Sequence, residues 1–213
     1  MSALNVHWSF RRAFTLIELL VVVAITGILA ALLMPALSSA KASGRQIRCM
    51  TNLKQIGLGV ALYGQENDDW IVPYKGEIGD PASYWNYLLE KHLSYSREVF
   101  HCPSARTTWP PPNWYWQAHL YINYGYNLYG LSKTITTGTA WKKFMQVNDP
   151  ATRILVADRN EASHGTGYTP QVIKAPSVYQ IGAPHHGGAV IVFLDGHCSW
   201  TPFGEIKDEW WGW

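Results

Sequence analysis

Apolar residues follow two different patterns along the chain, one before and one after residue 40. From Phe14 to Leu37, 24 consecutive positions contain a single charged residue, Glu18. As an α-helix this stretch is about 36 Å long, which is enough to cross a hydrocarbon core of about 30 Å. The pattern therefore predicts a membrane-spanning helix over 14–37, preceded by a short leader of residues 1–13.

Beyond residue 40 the apolar residues recur at every third or fourth position, which is the repeat of an amphipathic helix with one buried stripe. We expect this helix to continue the membrane-spanning one over 38–65 and its stripe to pack against a sheet. The predicted stripe consists of Ile47, Met50, Leu53, Ile56, Val60 and Tyr63.

Residues 66–213 are predicted to form an α+β domain in which the helix packs on an antiparallel β-sheet with irregular, aromatic-rich loops. Asp80 and Pro81 favour a helix over 81–93, because aspartate caps a helix and proline suits its first position. The apolar run TRILVAD at 152–158 predicts a strand.

The clearest turn signal in the chain lies near its end. Two β-rich runs within 187–203 flank Asp195-Gly196. An Asp-Gly pair between such runs is typical of a two-residue type I′ turn, in which glycine easily adopts a positive φ. We therefore predict a β-hairpin closed by these two residues.

The small net charge of the chain comes from its leader. The net charge is +2, and Arg11 and Arg12 are the only charged residues in the leader. The rest of the chain is therefore formally neutral. A surface that binds nucleic acid needs clustered basic residues, so we expect no nucleic-acid partner.

The cysteines and the catalytic motifs set further limits. Cys49, Cys102 and Cys198 are far apart and form no C-x-x-C pair, so the spacing of a zinc site is absent. Outside the cytoplasm two of the three could form a disulfide, although the sequence does not select the pair, and buried free thiols are an equal alternative. No nucleophile elbow, P-loop, HExxH or dinucleotide fingerprint occurs. We therefore expect neither an enzyme nor a cofactor.

Glu18 needs an explanation, because a carboxylate inside a membrane helix costs about 2.5–3.5 kcal/mol at the bilayer centre. A plain signal anchor would let Glu18 reach the near membrane interface. A cleaved secretory signal would end at Ser38-Ser39-Ala40, where small residues suit signal peptidase, although the apolar stretch is long for such a signal.

A third interpretation rests on a resemblance. The segment from Arg11 to Leu37 has a basic leader, then Phe14-Thr15-Leu16-Ile17-Glu18, then an apolar run. It resembles the N-terminus of type IV prepilins and type II secretion pseudopilins. The resemblance implies that prepilin peptidase cuts between Ala13 and Phe14 and that the new amine of Phe14 is methylated. Ala13 stands where the family usually has glycine.

The same resemblance assigns roles within the helix. Glu18 would meet the charged amine of Phe14 in a neighbouring subunit and set the register between them, while Gly27 and Pro35 would supply bend. It implies a single-pass protein of the bacterial inner membrane with a cytoplasmic N-terminus and an extracytoplasmic C-terminal domain. Its partners would be other pilin or pseudopilin subunits in a homo- or hetero-oligomeric filament.

Three short motifs carry a second resemblance, to large prepilin-like proteins that end in His-x9-Asp-Gly. They read RCMTNLKQIG, EVFHCPS, and His185 followed by Asp195-Gly196. We expect Asp195 to make the turn and His185 to hydrogen-bond the start of a loop. As an alternative, these two residues could gather around a metal, but no ligand spacing favours this and we predict no metal. The further ligands in that alternative would be Asp158, His186 and His197.

Taken together, these patterns predict a structural subunit of a type IV pilus or a type II secretion pseudopilus. An alternative of another class is a membrane-tethered, extracytoplasmic binding module for glycans or surface proteins. It is suggested by the aromatic segment 102–129, in which Trp114 and Trp116 could stack on a ligand.

Overall fold

The computed structural model describes six parts of the chain: residues 14–74, 84–105, 122–127, 142–159, 171–172 and 181–210. By its internal contacts the chain divides into two compact units, Met1–Lys41 and Ala42–Trp213. Several predicted features lie outside the described residues, namely the leader with Ala13, the helix start at Asp80 and Pro81, and the aromatic residues Trp114 and Trp116.

The first helix, α1, is Leu16–Glu66 and has 51 residues. The helix predicted over 14–37 and its predicted continuation over 38–65 both lie within α1. By length and composition α1 can cross a membrane, with a mean hydropathy of 2.8 in its apolar window. Helical structure continues through Gly27 and Pro35, so neither residue ends it.

The second part of α1 supplies a buried stripe to the core of the domain. Leu53, Ile56 and Val60 are fully buried, as predicted, but Ile47 is 66% exposed. The stripe begins instead at Cys49, which is fully buried. Ile47 lies two positions before Cys49, about 200° around the helix, and so points away from the packed face.

Among the described residues, five strands form one sheet in the order β3-β1-β2-β4-β5. The pairs β1–β2, β2–β4 and β4–β5 are antiparallel, whereas the short β3 is parallel to β1. A long helix on a mainly antiparallel sheet confirms the predicted α+β, pilin-like layout. The strands are β1 (Tyr124–Asn127), β2 (Ile154–Asp158), β3 (Gln171–Val172), β4 (Gly188–Phe193) and β5 (Cys198–Pro202).

Both faces of β4 are covered, which explains its unbroken apolar sequence. Val190 and Val192 belong to the core cluster that contains the α1 stripe. Ala189, Ile191 and Phe193 face the other side of the sheet. There Trp210 packs on Phe193 with ring centroids 5.5 Å apart. Successive side chains of a strand point to opposite faces, so a strand buried on both sides is apolar throughout.

The loop of the β4–β5 hairpin differs from the predicted type I′ turn. The Phe193 N–H donates to the His197 carbonyl at 2.9 Å, which leaves Leu194, Asp195 and Gly196 as a three-residue loop. In this loop only Gly196 has a positive φ, of 87°. A type I′ turn needs positive φ at both central residues, whereas a three-residue loop needs it only at its last.

The short helix α2 is Trp85–Glu90, followed by a 3-10 turn at Lys91–Leu93. It lies within the predicted range 81–93, whose first residues are outside the described part of the chain. The Trp85 N–H donates to the Tyr74 carbonyl at 3.0 Å, and Tyr84 has an extended backbone. The helix α2 therefore begins at Trp85, directly after the extended Tyr84.

Candidate functional site

The start of α1 is closed by a reciprocal pair of contacts between Thr15 and Glu18. Glu18 Oε2 accepts hydrogen bonds from the Thr15 N–H at 2.9 Å and from the Thr15 hydroxyl at 2.8 Å. The Glu18 N–H donates to Thr15 Oγ1 at 3.2 Å. This is the pattern of a capping box, which satisfies free N–H groups at a helix start. Glu18 thus has a partner within its own chain.

A second site lies inside the C-terminal unit, where four buried side chains converge. One ligand atom from each of Cys49, Cys102, Asp158 and His185 lies within 4.8 Å of the other three. Their exposure is at most 5%. We refer to these four residues as the thiol–carboxylate cluster.

The two cysteines come from segments that hold each other in place. Cys49 begins the buried stripe of α1, and Asn52, one turn later, donates from Nδ2 to the His101 carbonyl at 3.0 Å. The Cys102 N–H donates to Asn123 Oδ1 at 3.1 Å, just before β1. These contacts bring the two Sγ atoms to 3.2 Å. The cysteines of the motifs RCMTNLKQIG and EVFHCPS thus meet inside the domain.

The carboxylate is presented by the sheet. Asp158, the last residue of β2, is paired across the sheet with Tyr124, the first residue of β1. Asp158 Oδ2 accepts the Val190 N–H at 2.7 Å, and Asp158 Oδ1 lies 3.2 Å from Cys49 Sγ. The Tyr124 hydroxyl lies 3.0 Å from the same sulfur. The pairing of β1 with β2 therefore holds Asp158 Oδ1 and the Tyr124 hydroxyl against Cys49 of α1.

His185 lies just before β4, and its two ring nitrogens have different surroundings. Nε2 is 3.3 Å from Cys102 Sγ and 3.7 Å from Asp158 Oδ2. Nδ1 is 3.4 Å from Ser104 Oγ. With Nδ1 engaged by a hydroxyl, Nε2 is the nitrogen that faces the cluster.

The backbone of His185 is held by the β4–β5 hairpin. The Trp200 indole N–H donates to its carbonyl at 2.8 Å, and the Gly188 N–H donates to it at 3.0 Å. A Cβ at Gly188 would lie 2.5 Å from the Trp200 ring. Glycine is therefore required here so that the indole can reach the His185 carbonyl.

Burial and mutual contact shift the pKa values in the cluster. Burial and the charge of Cys102 raise the pKa of Asp158 to about 7. The hydrogen bond from Cys49, opposed by burial and helped by His185, lowers the pKa of Cys102 to about 5. Burial raises the pKa of Cys49 far above its ordinary value. Cys102 is thus the thiol that ionises first.

A cysteine, a histidine and an aspartate side by side suggest nucleophilic catalysis, but this geometry does not suit it. In a catalytic triad the carboxylate binds the imidazole nitrogen that is turned away from the nucleophile. Here Asp158 lies near Nε2 of His185, the same nitrogen that contacts Cys102. The side chains of Cys102 and His185 are also buried, so a substrate cannot reach the Cys102 sulfur.

The residues of the His-x9-Asp-Gly signature separate in the structure. The side chain of His185 enters the buried cluster, where its Nδ1 also lies 3.4 Å from Ser104 Oγ in the loop after residue 100. Asp195 and Gly196 lie in the exposed hairpin loop, where Asp195 Oδ1 contacts His197 Nδ1 at 2.6 Å. Of the five residues in the metal alternative, only His185 and Asp158 come together, and His186 is exposed.

The cysteines also separate into two groups. Cys49 and Cys102 are free thiols that lie next to each other in space. Cys198, at the start of β5, is apart from them, and its Sγ lies 3.8 Å from the Met50 carbonyl. The disulfide stays a prediction, and the structure brings together only one candidate pair for it among the described residues. Tyr124, Asn123 and Ser104 were not predicted as part of a site, because no motif contains the first two and the third is an ordinary loop serine.

Comparison with known proteins addresses the N-terminal segment. Residues 8–34 match the family model of the prokaryotic N-terminal methylation motif. The match includes Ala13, Phe14, Glu18 and Gly27, and it supports a prepilin-type protein that is anchored in a membrane and processed by a peptidase. No match was found among curated proteins or among solved structures.

Proposed function

We propose that this protein is a structural subunit of a type IV pilus or a type II secretion pseudopilus. The observation that carries the proposal is the match of residues 8–34 to the N-terminal methylation motif. Prepilin peptidase would cut between Ala13 and Phe14, and Phe14 would carry the methylated amine. The subunit would start in the bacterial inner membrane with its N-terminus in the cytoplasm and its C-terminal domain outside.

The exposed apolar surface of α1 supports this proposal. Among the large apolar residues of its first part, exposure ranges from 47% at Val21 to 85% at Leu16. Burying one such side chain contributes about 1.5–3 kcal/mol. The segment is therefore stabilised when its apolar surface is removed from water, whether by lipid or by the same segments of neighbouring subunits.

Glu18 has two roles in this proposal. In a separate subunit it closes the capping box with Thr15. On assembly its charge would meet the amine of Phe14 in a neighbouring subunit and set the axial register, since opposite charges attract strongly where the dielectric constant is low.

We also propose that the chain has no catalytic function of its own. This is supported by the burial of its one described cysteine–histidine–aspartate cluster. The chemistry of processing would belong to the peptidase.

The two roles of Glu18 can be separated by substitution. Glu18→Gln keeps a capping-box side chain but removes the charge, whereas Thr15→Val removes the capping hydroxyl and keeps the charge. We expect Glu18→Gln to be cleaved normally yet to be lost from filaments, at least tenfold in a co-assembly assay with the wild-type chain. Thr15→Val should assemble almost normally.

The opposite pattern would contradict the register role. If Glu18→Gln enters filaments as well as the wild-type chain while Thr15→Val does not, Glu18 acts only as a cap. Cleavage is followed in the same samples by the change in mass, so that a failure of processing is not mistaken for a failure of assembly.

A further inference from the structure

We propose that Cys49, Cys102, Asp158 and His185 form a buried, four-coordinate binding site for a zinc ion. The site would join α1, the loop after residue 100, β2 and the segment before β4. It does not depend on the filament role of the N-terminus, and each can fail without the other.

The distances between the donor atoms are close to those around a tetrahedral ion. Zinc binds sulfur at about 2.3 Å and nitrogen or oxygen at about 2.0–2.2 Å, which places tetrahedral donors about 3.3–3.8 Å apart. The two sulfurs are 3.2 Å apart, and Cys49 Sγ is 3.2 Å from Asp158 Oδ1. Nε2 of His185 is 3.3 Å from Cys102 Sγ and 3.7 Å from Asp158 Oδ2. Both 3.2 Å distances are shorter than this range, so Cys49 Sγ would move away from Cys102 Sγ and Asp158 Oδ1 by about 0.5 Å as the ion binds.

The donor set selects the kind of metal. Two thiolates, one imidazole and one carboxylate are a mixed S, N and O set with four members. Calcium and magnesium prefer six or more oxygen donors, whereas zinc favours four-coordinate sites with cysteine and histidine. The negative charge of two thiolates and a carboxylate, otherwise costly to bury, would be largely offset by a dication.

The surroundings of the four side chains are also those of a metal site. Ligating histidines usually donate their second ring N–H to an oxygen, which fixes the tautomer. Ser104 Oγ is in place to accept from His185 Nδ1 at 3.4 Å. The Val190 N–H orients Asp158, and the Tyr124 hydroxyl contacts Cys49 Sγ.

A site with four protein ligands and no exposed position is structural rather than catalytic. Its ligands come from positions 49, 102, 158 and 185, so the ion would cross-link parts of the domain that are distant in sequence. A disulfide between Cys49 and Cys102 is the competing state. It would use two of the four converging donors and leave the orientation of His185 and Asp158 unexplained.

The test is the metal content of the wild-type, full-length chain, purified in detergent from bacterial membranes without chelators. We expect about one zinc per chain, as for a closed structural site. Exchange of zinc for Co²⁺ should give a thiolate-to-cobalt charge-transfer band and the visible spectrum of a tetrahedral ion. Neither measurement depends on a variant that folds.

Variants then identify the ligands. Cys49→Ser and His185→Ala should lose the zinc and the cobalt spectrum, while Cys198→Ser, the matched control, should keep both. Ser104→Ala should bind zinc about 10–100-fold more weakly, because it removes only the support of His185. Affinity is measured by competition with a chelating dye.

Two results would overturn the proposal. One is a wild-type chain without zinc, whose peptide map under non-reducing conditions contains a Cys49–Cys102 disulfide. The other is a wild-type chain with all three thiols free that takes up neither zinc nor cobalt. A loss of zinc in Cys198→Ser equal to that in Cys49→Ser would show that the proposed ligand set is wrong.

Discussion

The two parts of α1 differ both in how many apolar residues they carry and in whether the fold buries them. In the first part, Leu16, Ile28 and Leu32 are each more than 60% exposed. In the second part, Leu53, Ile56 and Val60 are completely buried in the core of the domain. One helix thus has one segment that its own fold buries and another that the fold leaves exposed.

The difference follows from the arrangement of apolar residues around the helix. In the second part they lie on one stripe, which a single sheet can cover. In the first part they lie on all sides, and a helix that is apolar all round is stable only when it is surrounded. The first segment is therefore suited to lipid, and the second to the sheet of its own chain.

The largest expected effect is the difference in stability between two variants, each with one leucine truncated in one of the two parts. Leu53→Ala should lower the free energy of unfolding of the C-terminal unit by about 2–5 kcal/mol, since it leaves a cavity in a packed core. Leu29→Ala, at a site 53% exposed, should change it by less than about 0.5 kcal/mol. Both are measured by denaturant titration of the full chain in detergent, followed by tryptophan fluorescence. Equal effects would mean that the two parts are not distinct.

Much of this contrast could be predicted from the sequence. The uninterrupted apolar run and the three-and-four repeat are local signals, and both predicted the right element. Which residues of the second part are buried was harder to predict. Ile47 fits the repeat but is exposed, while Cys49 is buried, because the sheet and not the helix decides which side is covered.

A smaller effect is expected for glycine to alanine changes in the two parts. A Cβ at Gly57 would lie 3.0 Å from Val192 Cγ2, whereas a Cβ at Gly27 meets nothing within 4 Å. Alanine favours helix by about 1 kcal/mol, but overpacking a core costs about 1–3 kcal/mol. Gly57→Ala should therefore lower the thermal midpoint of the C-terminal unit, while Gly27→Ala should not lower it. A lower midpoint for Gly27→Ala would contradict the open surroundings of the first part.

The smallest expected effect is a dependence of stability on pH at the end of α1. Burial lowers the pKa of His92, whose Nδ1 lies 3.6 Å from Glu66 Oε1. Because the folded pKa lies below the unfolded one, this contribution is fully present above about pH 6.5 and is lost as the pH falls toward the folded pKa. His92→Phe should flatten the stability profile in that window. An unchanged profile would assign the dependence to other groups.

The thiol–carboxylate cluster was harder to predict than the fold. Its members are separated by 27 to 56 positions, so no local spacing reveals a shared site. The sequence singled out Cys49, Cys102 and His185 one at a time, each within its own motif. Their convergence with Asp158 depends on the strand pairing that places Asp158 beside Tyr124. The turn at Asp195 could be predicted because its signal is local, although its loop has one residue more than expected.

The most direct test of the account is the mass of the mature N-terminus of the natural protein. The account predicts a chain that begins at Phe14 and carries a methyl group on its amine, since the register between subunits needs that positive charge. A chain that still begins at Met1, or one that begins at Lys41, would contradict it.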